Sequence, residues 1–196
     1  MARPREFDID QALESAMNAF WSKGYAATSM ADLMEAMSLQ KGSIYKAFGN
    51  KHQLFLAALQ NYLSAAFFSL KSRMDQAETP LESLKVFLHG AVETCRLHPS
   101  KGCFALNSVI ELGPHDKETR ACVDKHFANI RSLVSELVIK GQEVGLLRQD
   151  TPASDMAEYL ITVQLGIVSS AKHHKSLDEK KRVADFALSQ IVQTPV

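Results

Sequence analysis

Residues 28–51 read Thr28-Ser29-Met30-Ala31-Asp32-Leu33-Met34-Glu35-Ala36-Met37-Ser38-Leu39-Gln40-Lys41-Gly42-Ser43-Ile44-Tyr45-Lys46-Ala47-Phe48-Gly49-Asn50-Lys51. Ser29 stands where a side-chain oxygen can cap a helix over Met30–Met37. Leu33 and Met37 are four apart and give that helix one apolar face. Ser38-Leu39-Gln40 makes a tight connection into a second short helix over Lys41–Phe48. Ile44 and Phe48 repeat the four-residue spacing, so both can face a core. Gly49-Asn50 breaks the second helix, and Asn50 suits the N-cap of the next. Two short helices joined by a tight turn form the helix-turn-helix layout, in which the second helix lies in the major groove. Such a helix must show small and polar groups outward. Lys41, Ser43, Tyr45 and Lys46 are left for that face, and Gly42 lets the backbone approach closely.

Outward from this stretch the chain reads as helix throughout. Upstream, Ile9, Ala12, Leu13, Ala16, Met17 and Phe20 form one face over residues 8–23, and Gly24 follows where a left-handed residue would end the helix. Downstream, Leu56, Leu59, Leu63, Phe67, Leu70 and Met74 predict a long helix over 51–75. Thr79-Pro80-Leu81-Glu82 is a helix start, with Thr as cap, Pro in the first turn and Glu reaching back. That helix is expected to run to about His98. Others follow over 103–112, 116–145, 153–172 and 177–192. The expectation is an all-α chain of about nine helices, with no repeat and no strand of alternating polarity. Helices are short before residue 50 and long after it. We therefore divide the chain into a helix-turn-helix domain over 1–50 and a larger helical domain over 51–196, to which the resemblance described below adds effector sensing and dimerisation.

Composition narrows the function. Apolar residues make up 46% of 196, enough for a sizeable core. The net charge is zero, and residues 1–52 carry six basic and six acidic side chains, so bulk charge does not mark a nucleic-acid binder. Distribution does: from Ala36 to Lys51 every formal charge is positive. No apolar run spans a bilayer, and Met1-Ala2-Arg3-Pro4-Arg5 leads into no signal-peptide stretch. Cys95, Cys103 and Cys122 are odd in number and contain no C-x-x-C pair, which points to a reducing, cytoplasmic compartment. No G-x-S-x-G, Walker, H-E-x-x-H or dinucleotide motif is present, so an enzyme is not expected. A cysteine-dependent enzyme using Cys103 is the reading that would revive it. No cofactor is expected.

The series Phe20-x-x-x-Gly24-Tyr25-x-x-Thr28-Ser29-Met30-x-x-Leu33, followed by Lys41-Gly42-Ser43-Ile44-Tyr45-x-x-Phe48-x-Asn50-Lys51-x-x-Leu54, resembles the DNA-binding domain of the TetR family of bacterial repressors in order and spacing. The resemblance covers about residues 8–55. It implies an all-helical homodimer of about nine helices on a palindromic operator in double-stranded DNA. The first three helices would bind DNA, the middle ones would enclose an effector site, and the last two would form a four-helix dimer interface. It places Thr28, Tyr45 and Lys51 at phosphates, and Lys41, Gly42, Ser43 and Lys46 at or near base edges. Ala47 stands where many relatives carry His or another polar residue, so that phosphate contact is not expected of its side chain. Arg3 and Arg5 suit either a minor-groove arm or an unordered terminus.

The second half gives three readings of the effector. Gly102-Cys103-Phe104-Ala105-Leu106-Asn107 resembles a TetR subgroup with a Gly-Cys pair at the start of the sixth helix, some of whose members sense electrophiles or oxidants there. A thiol at a helix N-terminus ionises more readily, and the thiolate is the reactive form. Cys95 and Cys122 read as small buried groups. A metal-responsive alternative draws on His89, Cys95, His98, Cys103, His115, Cys122 and His126, although no ligand set has a recognised spacing. An organic small-molecule effector would meet apolar walls including Phe67, Phe87 and Phe104, with Asn107 as a polar candidate. For the dimer interface, Tyr159, Leu160, Val163, Gly166, Ile167 and Ser170, with Val183, Phe186, Ala187 and Ile191, suit either core or a symmetric seam.

Overall fold

A computed structural model describes residues 7–173 and 176–193. Among these it contains nine α-helices: α1 (Ile9–Lys23), α2 (Met30–Met37), α3 (Lys41–Phe48), α4 (Lys51–Met74), α5 (Pro80–Leu97), α6 (Phe104–Leu112), α7 (Lys117–Glu143), α8 (Ala153–Ser169) and α9 (Leu177–Ser189). A 3-10 turn over Ser170–His173 follows α8. The all-α expectation holds. The shortfall is at two ends: α8 tightens into 3-10 geometry at Ser170, and α9 stops at Ser189. There the backbone enters a single antiparallel bridge between Leu147 and Val192.

The chain forms two compact units. One comprises residues 1–65 and 104–123, the other 66–103 and 124–196. The chain passes between them within α4, between Cys103 and Phe104, and within α7. Helix α6 therefore belongs to the same unit as the helix-turn-helix, although 55 residues separate Phe104 from Gly49.

In the first unit α1, α2 and α4 start with side-chain caps, whereas α3, with Gln40 at its N-cap position, has no side-chain cap. Asp8 accepts from the amides of Asp10 and Gln11. Ser29 and Asp32 form a reciprocal capping box, and Asn50 and Gln53 form another. Such caps are worth about 1 kcal/mol each, which matters for the eight-residue α2, too short to sustain itself. Gly24 ends α1 with φ of +84° and an extended ψ of 164°, so the positive φ was legible but the left-handed helical conformation is not adopted. Ala16, Phe20, Leu33, Ile44, Leu54 and Phe55 fill the core. In the first half of α4 the buried face is Leu54, Phe55, Ala58 and Leu59, with Leu56 only half-buried.

The second unit packs α5, α8 and α9 with the remainder of α7 and α4. Its centre is Leu84, Phe87, Leu88, Val134, Leu160 and Ala184. Gly141 lets Leu147 fold back on α7: a Cβ there would stand 2.6 Å from the Leu147 side chain. Gln142 then ties the link to α8, its Nε2 donating to the carbonyls of Arg148 (2.8 Å) and Thr151 (2.9 Å). No helix is long and apolar enough to cross a membrane among the described residues.

Candidate DNA interface

Helices α2 and α3 are joined by Ser38, whose φ of 52° and ψ of 37° place it in the left-handed region. The turn closes with Ser38 and Leu39 amides donating to the carbonyls of Glu35 and Met34. Buried Leu33, Met37 and Ile44 lock the two helices together and fix which face of α3 points outward. Lys41, Gly42, Tyr45 and Lys46 are exposed on that face, and Ser43 is half-buried. Tyr45 is 40% exposed, which decides against a core role. The Lys41 ammonium lies 5.6 Å from its ring centroid. Nothing lies within 4 Å of where a Gly42 Cβ would stand, so the backbone there is open to a close neighbour.

Lys51 opens α4, where the helix end adds its own positive character. Its ammonium sits 4.4 Å from the centroid of Tyr25. Tyr25 meets Phe55 (5.0 Å) and His52 (6.1 Å) edge-on. Burial, and then the nearby Asp116 carboxylate, push the Tyr25 hydroxyl up from its ordinary range. Lys51 is thus seated over an aromatic platform of Tyr25, Phe55 and His52. Thr28 is placed differently from the surface residues. It is fully buried, and its Oγ1 donates to the Gly24 carbonyl at 2.5 Å. In this conformation its side chain secures the turn between α1 and α2 rather than facing outward. Arg3 and Arg5 lie outside the described residues.

Several ties in this unit had no signal in the sequence. Lys23 at the end of α1 donates to Asp32 at the start of α2 (2.5 Å), and this bond, with those from Ser29, holds the Asp32 carboxyl far below its usual range. The Glu111 carboxylate accepts from the amides of Tyr25 (3.0 Å) and Ala26 (2.8 Å). Asp116 lies 2.6 Å from His52 Nε2 and caps α7 through the amides of Glu118 and Thr119. Burial raises the Asp116 carboxyl, but the Thr119 hydroxyl, His52 and the two amides outweigh it and hold it at about 2. The cap itself was readable, since Asp116 begins a helix with Thr119 three residues on. Its contact with His52, 64 residues away, was not.

The residues considered for the effector do not fall in one unit. Cys103 is half-buried, immediately before α6. Phe104, expected in a pocket wall, is 2% exposed and closes an aromatic cluster with Trp21 (6.1 Å), Phe55 (6.1 Å) and Tyr62 (5.5 Å) inside the first unit. Asn107, also on α6, is half-buried. Phe87 is core of the second unit, and Phe67 is half-buried against it. Cys95 is buried, its thiol donating to the Ile167 carbonyl at 3.5 Å; burial raises it, opposed by Lys180. Among the described residues, the donors that converge for a metal are His52, Asp116 and Glu118, not the His and Cys set read from the sequence. Capping and the His52 bond already account for that Asp116 carboxylate.

Residues 12–58 match the family model described as "Bacterial regulatory proteins, tetR family", and residues 80–187 match "Tetracyclin repressor-like, C-terminal domain". The chain is 28% identical to the uncharacterised regulator YezE of Bacillus subtilis, over 96% of this chain and 98% of that one. It is 29% identical to the repressor ComR of Escherichia coli, over 95% and 90%. Among solved structures, a cysteine mutant of the TetR-family regulator CifR in complex with 26-bp operator DNA is 31% identical, with a TM-score of 0.73 over 95% of this chain and 98% of that one. A TetR regulator of Chloroflexus aurantiacus shares the fold, with a TM-score of 0.85 at 23% identity. With both halves matched in order, a helix-turn-helix at one end and a helical body at the other, the chain belongs to the TetR family of bacterial transcriptional regulators, and it is not an enzyme.

Proposed function

We propose that the protein is a homodimeric repressor that binds a palindromic operator and is released by a small-molecule effector or by modification of Cys103. The observation that carries the DNA part is the outward face of α3, where Lys41, Gly42, Tyr45 and Lys46 are exposed and no acidic residue lies between Ala36 and Lys51. On this reading Tyr45 and Lys51 hold phosphates, Lys41, Gly42, Ser43 and Lys46 lie at base edges, and Thr28 fixes the turn ahead of α2. Residues 1–50 supply the reading head and 51–196 sensing and dimerisation. The protein works in the cytoplasm, where the chromosome is. Two symmetric recognition helices require two symmetric half-sites, so the operator is palindromic. The DNA complex of the CifR mutant supports the reading.

Cys103 is the proposed sensor. It is half-buried, at the start of a helix, and at the point where the chain enters the first unit. The cysteines replaced in a second CifR mutant include two that are eight positions apart, as are Cys95 and Cys103. The test is a gel-shift titration on the DNA upstream of its own gene and on a selected random-sequence pool, with diamide or dithiothreitol, comparing wild type with Cys103→Ser. Saturable, salt-sensitive binding that diamide abolishes only in the wild type establishes both parts. Binding indifferent to diamide removes the cysteine switch and leaves an organic effector. Failure on both DNA samples removes the repressor reading.

A further inference from the structure

We propose that Glu111 is a positioning residue for operator binding: its carboxylate clasps the turn between α1 and α2 and so sets where the helix-turn-helix lies on α6. The turn presents the amides of two consecutive residues, Tyr25 and Ala26. Each donates to a different oxygen of the same carboxylate, at 3.0 and 2.8 Å. A two-point, charge-assisted clasp of this kind fixes direction as well as distance. Gly24 makes room for it, since a Cβ there would stand 3.0 Å from Glu111 Oε2. The clasped residues lead straight to Thr28 and the Ser29 cap of α2. Tyr25 is also the ring beneath the Lys51 ammonium.

A second tie works at the same corner of the unit. Asp116, five residues beyond Glu111, reaches His52 beside Lys51. Glu111 therefore governs the α1–α2 turn, and Asp116 governs the start of α4. Between them they hold the turn that leads into α2 and the first turn of α4, which carries Lys51. Releasing Glu111 frees Tyr25 and the turn while leaving the buried core of Phe20, Leu33 and Phe55 intact. The expected consequence is a helix-turn-helix that still folds but samples orientations unsuited to the groove.

The inference rests on operator binding by the helix-turn-helix, so the test has a readout without DNA. Amide hydrogen exchange is measured at Tyr25 and Ala26 in the free full-length wild type, E111Q and E111A, with E143Q as a control on exposed charge. Operator affinity is measured on DNA selected from a random-sequence pool, and thermal midpoints are recorded. Slow exchange at both amides in the wild type, at least about tenfold faster exchange in E111A, and about tenfold weaker operator binding with a retained midpoint are expected. E111Q keeps one acceptor and falls between. Fast exchange in the wild type overturns the clasp. Faster exchange in the variants with unchanged affinity overturns the positioning role. If E111A fails to fold, E111Q decides on the same two readouts. Wild type that binds no selected DNA overturns the underlying reading, while the exchange data still report whether the clasp exists.

Discussion

At the scale of the residue, the lysines of α3 and of the start of α4 suit two kinds of contact. Lys51 is a point charge over a ring, suited to a phosphate, whereas Lys41 and Lys46 stand on the recognition helix itself. Lys51→Ala is expected to weaken binding evenly across operator variants. It should lower the slope of log affinity against log salt by about 1 per protomer, read by fluorescence anisotropy. Lys46→Ala is expected to relax discrimination at one base-pair position of each half-site, by about 1–3 kcal/mol where it reads a base edge. Equal effects on all sequences would place Lys46 on the backbone instead. The cysteines separate as sharply. Cys95 is buried, bonded to a carbonyl and raised by burial, so it is the slowest of the three to react with a thiol reagent in the native protein. Cys103 is expected to react ahead of it, and mass spectrometry after brief labelling reads the order.

At the scale of the element, caps and breaks were the legible part. Ser29, Asn50 and Thr79 start their helices where the sequence put them, because a cap acts over three residues and needs no tertiary partner. Asp116 joins the local kind of information to the distant kind. It caps α7 through nearby amides and meets His52 across 64 residues. D116A is expected to cost about 1 kcal/mol or somewhat more at neutral pH, measured by urea unfolding. The sign with pH follows from a folded value of about 2, below the ordinary 3.8. The contribution is fully present above about pH 4 and disappears as pH falls towards 2. Wild type and D116N are therefore expected to converge in stability over that window; a gap that stays constant there would place the stabilisation elsewhere. Phe104 shows the limit of reading an element alone. Its place on an apolar helix suits a pocket wall or a core equally, and the surrounding rings settle it as core of the first unit.

At the scale of the whole molecule, α8 and α9 carry one stripe that the sequence could not divide. Leu160, Ile167, Ala187 and Ile191 turn inward, while Tyr159, Val183 and Phe186 remain exposed, Phe186 at 65%. A groove of about 620 Å³ runs between them, lined by Val163, Gly166, Ser170 and Phe186. Exposed apolar area of this kind on a helical pair suits the symmetric seam expected of the family. Phe186→Asp is expected to give a monomer by light scattering with unchanged helical content and lost operator binding, since one recognition helix cannot span two half-sites. A dimer that persists in this variant would put the seam on another face. Periodicity and capping act over three or four residues, so the helices, the caps at Ser29, Asn50 and Thr79 and the helix-turn-helix with its family resemblance were legible along the chain. Only the tertiary structure decided that α6 belongs with the DNA-reading unit, that Glu111 holds Tyr25 and Ala26, and which half of the α8–α9 stripe is core. The Glu111 contacts join residues 86 and 85 positions apart, and no local pattern encodes such a meeting.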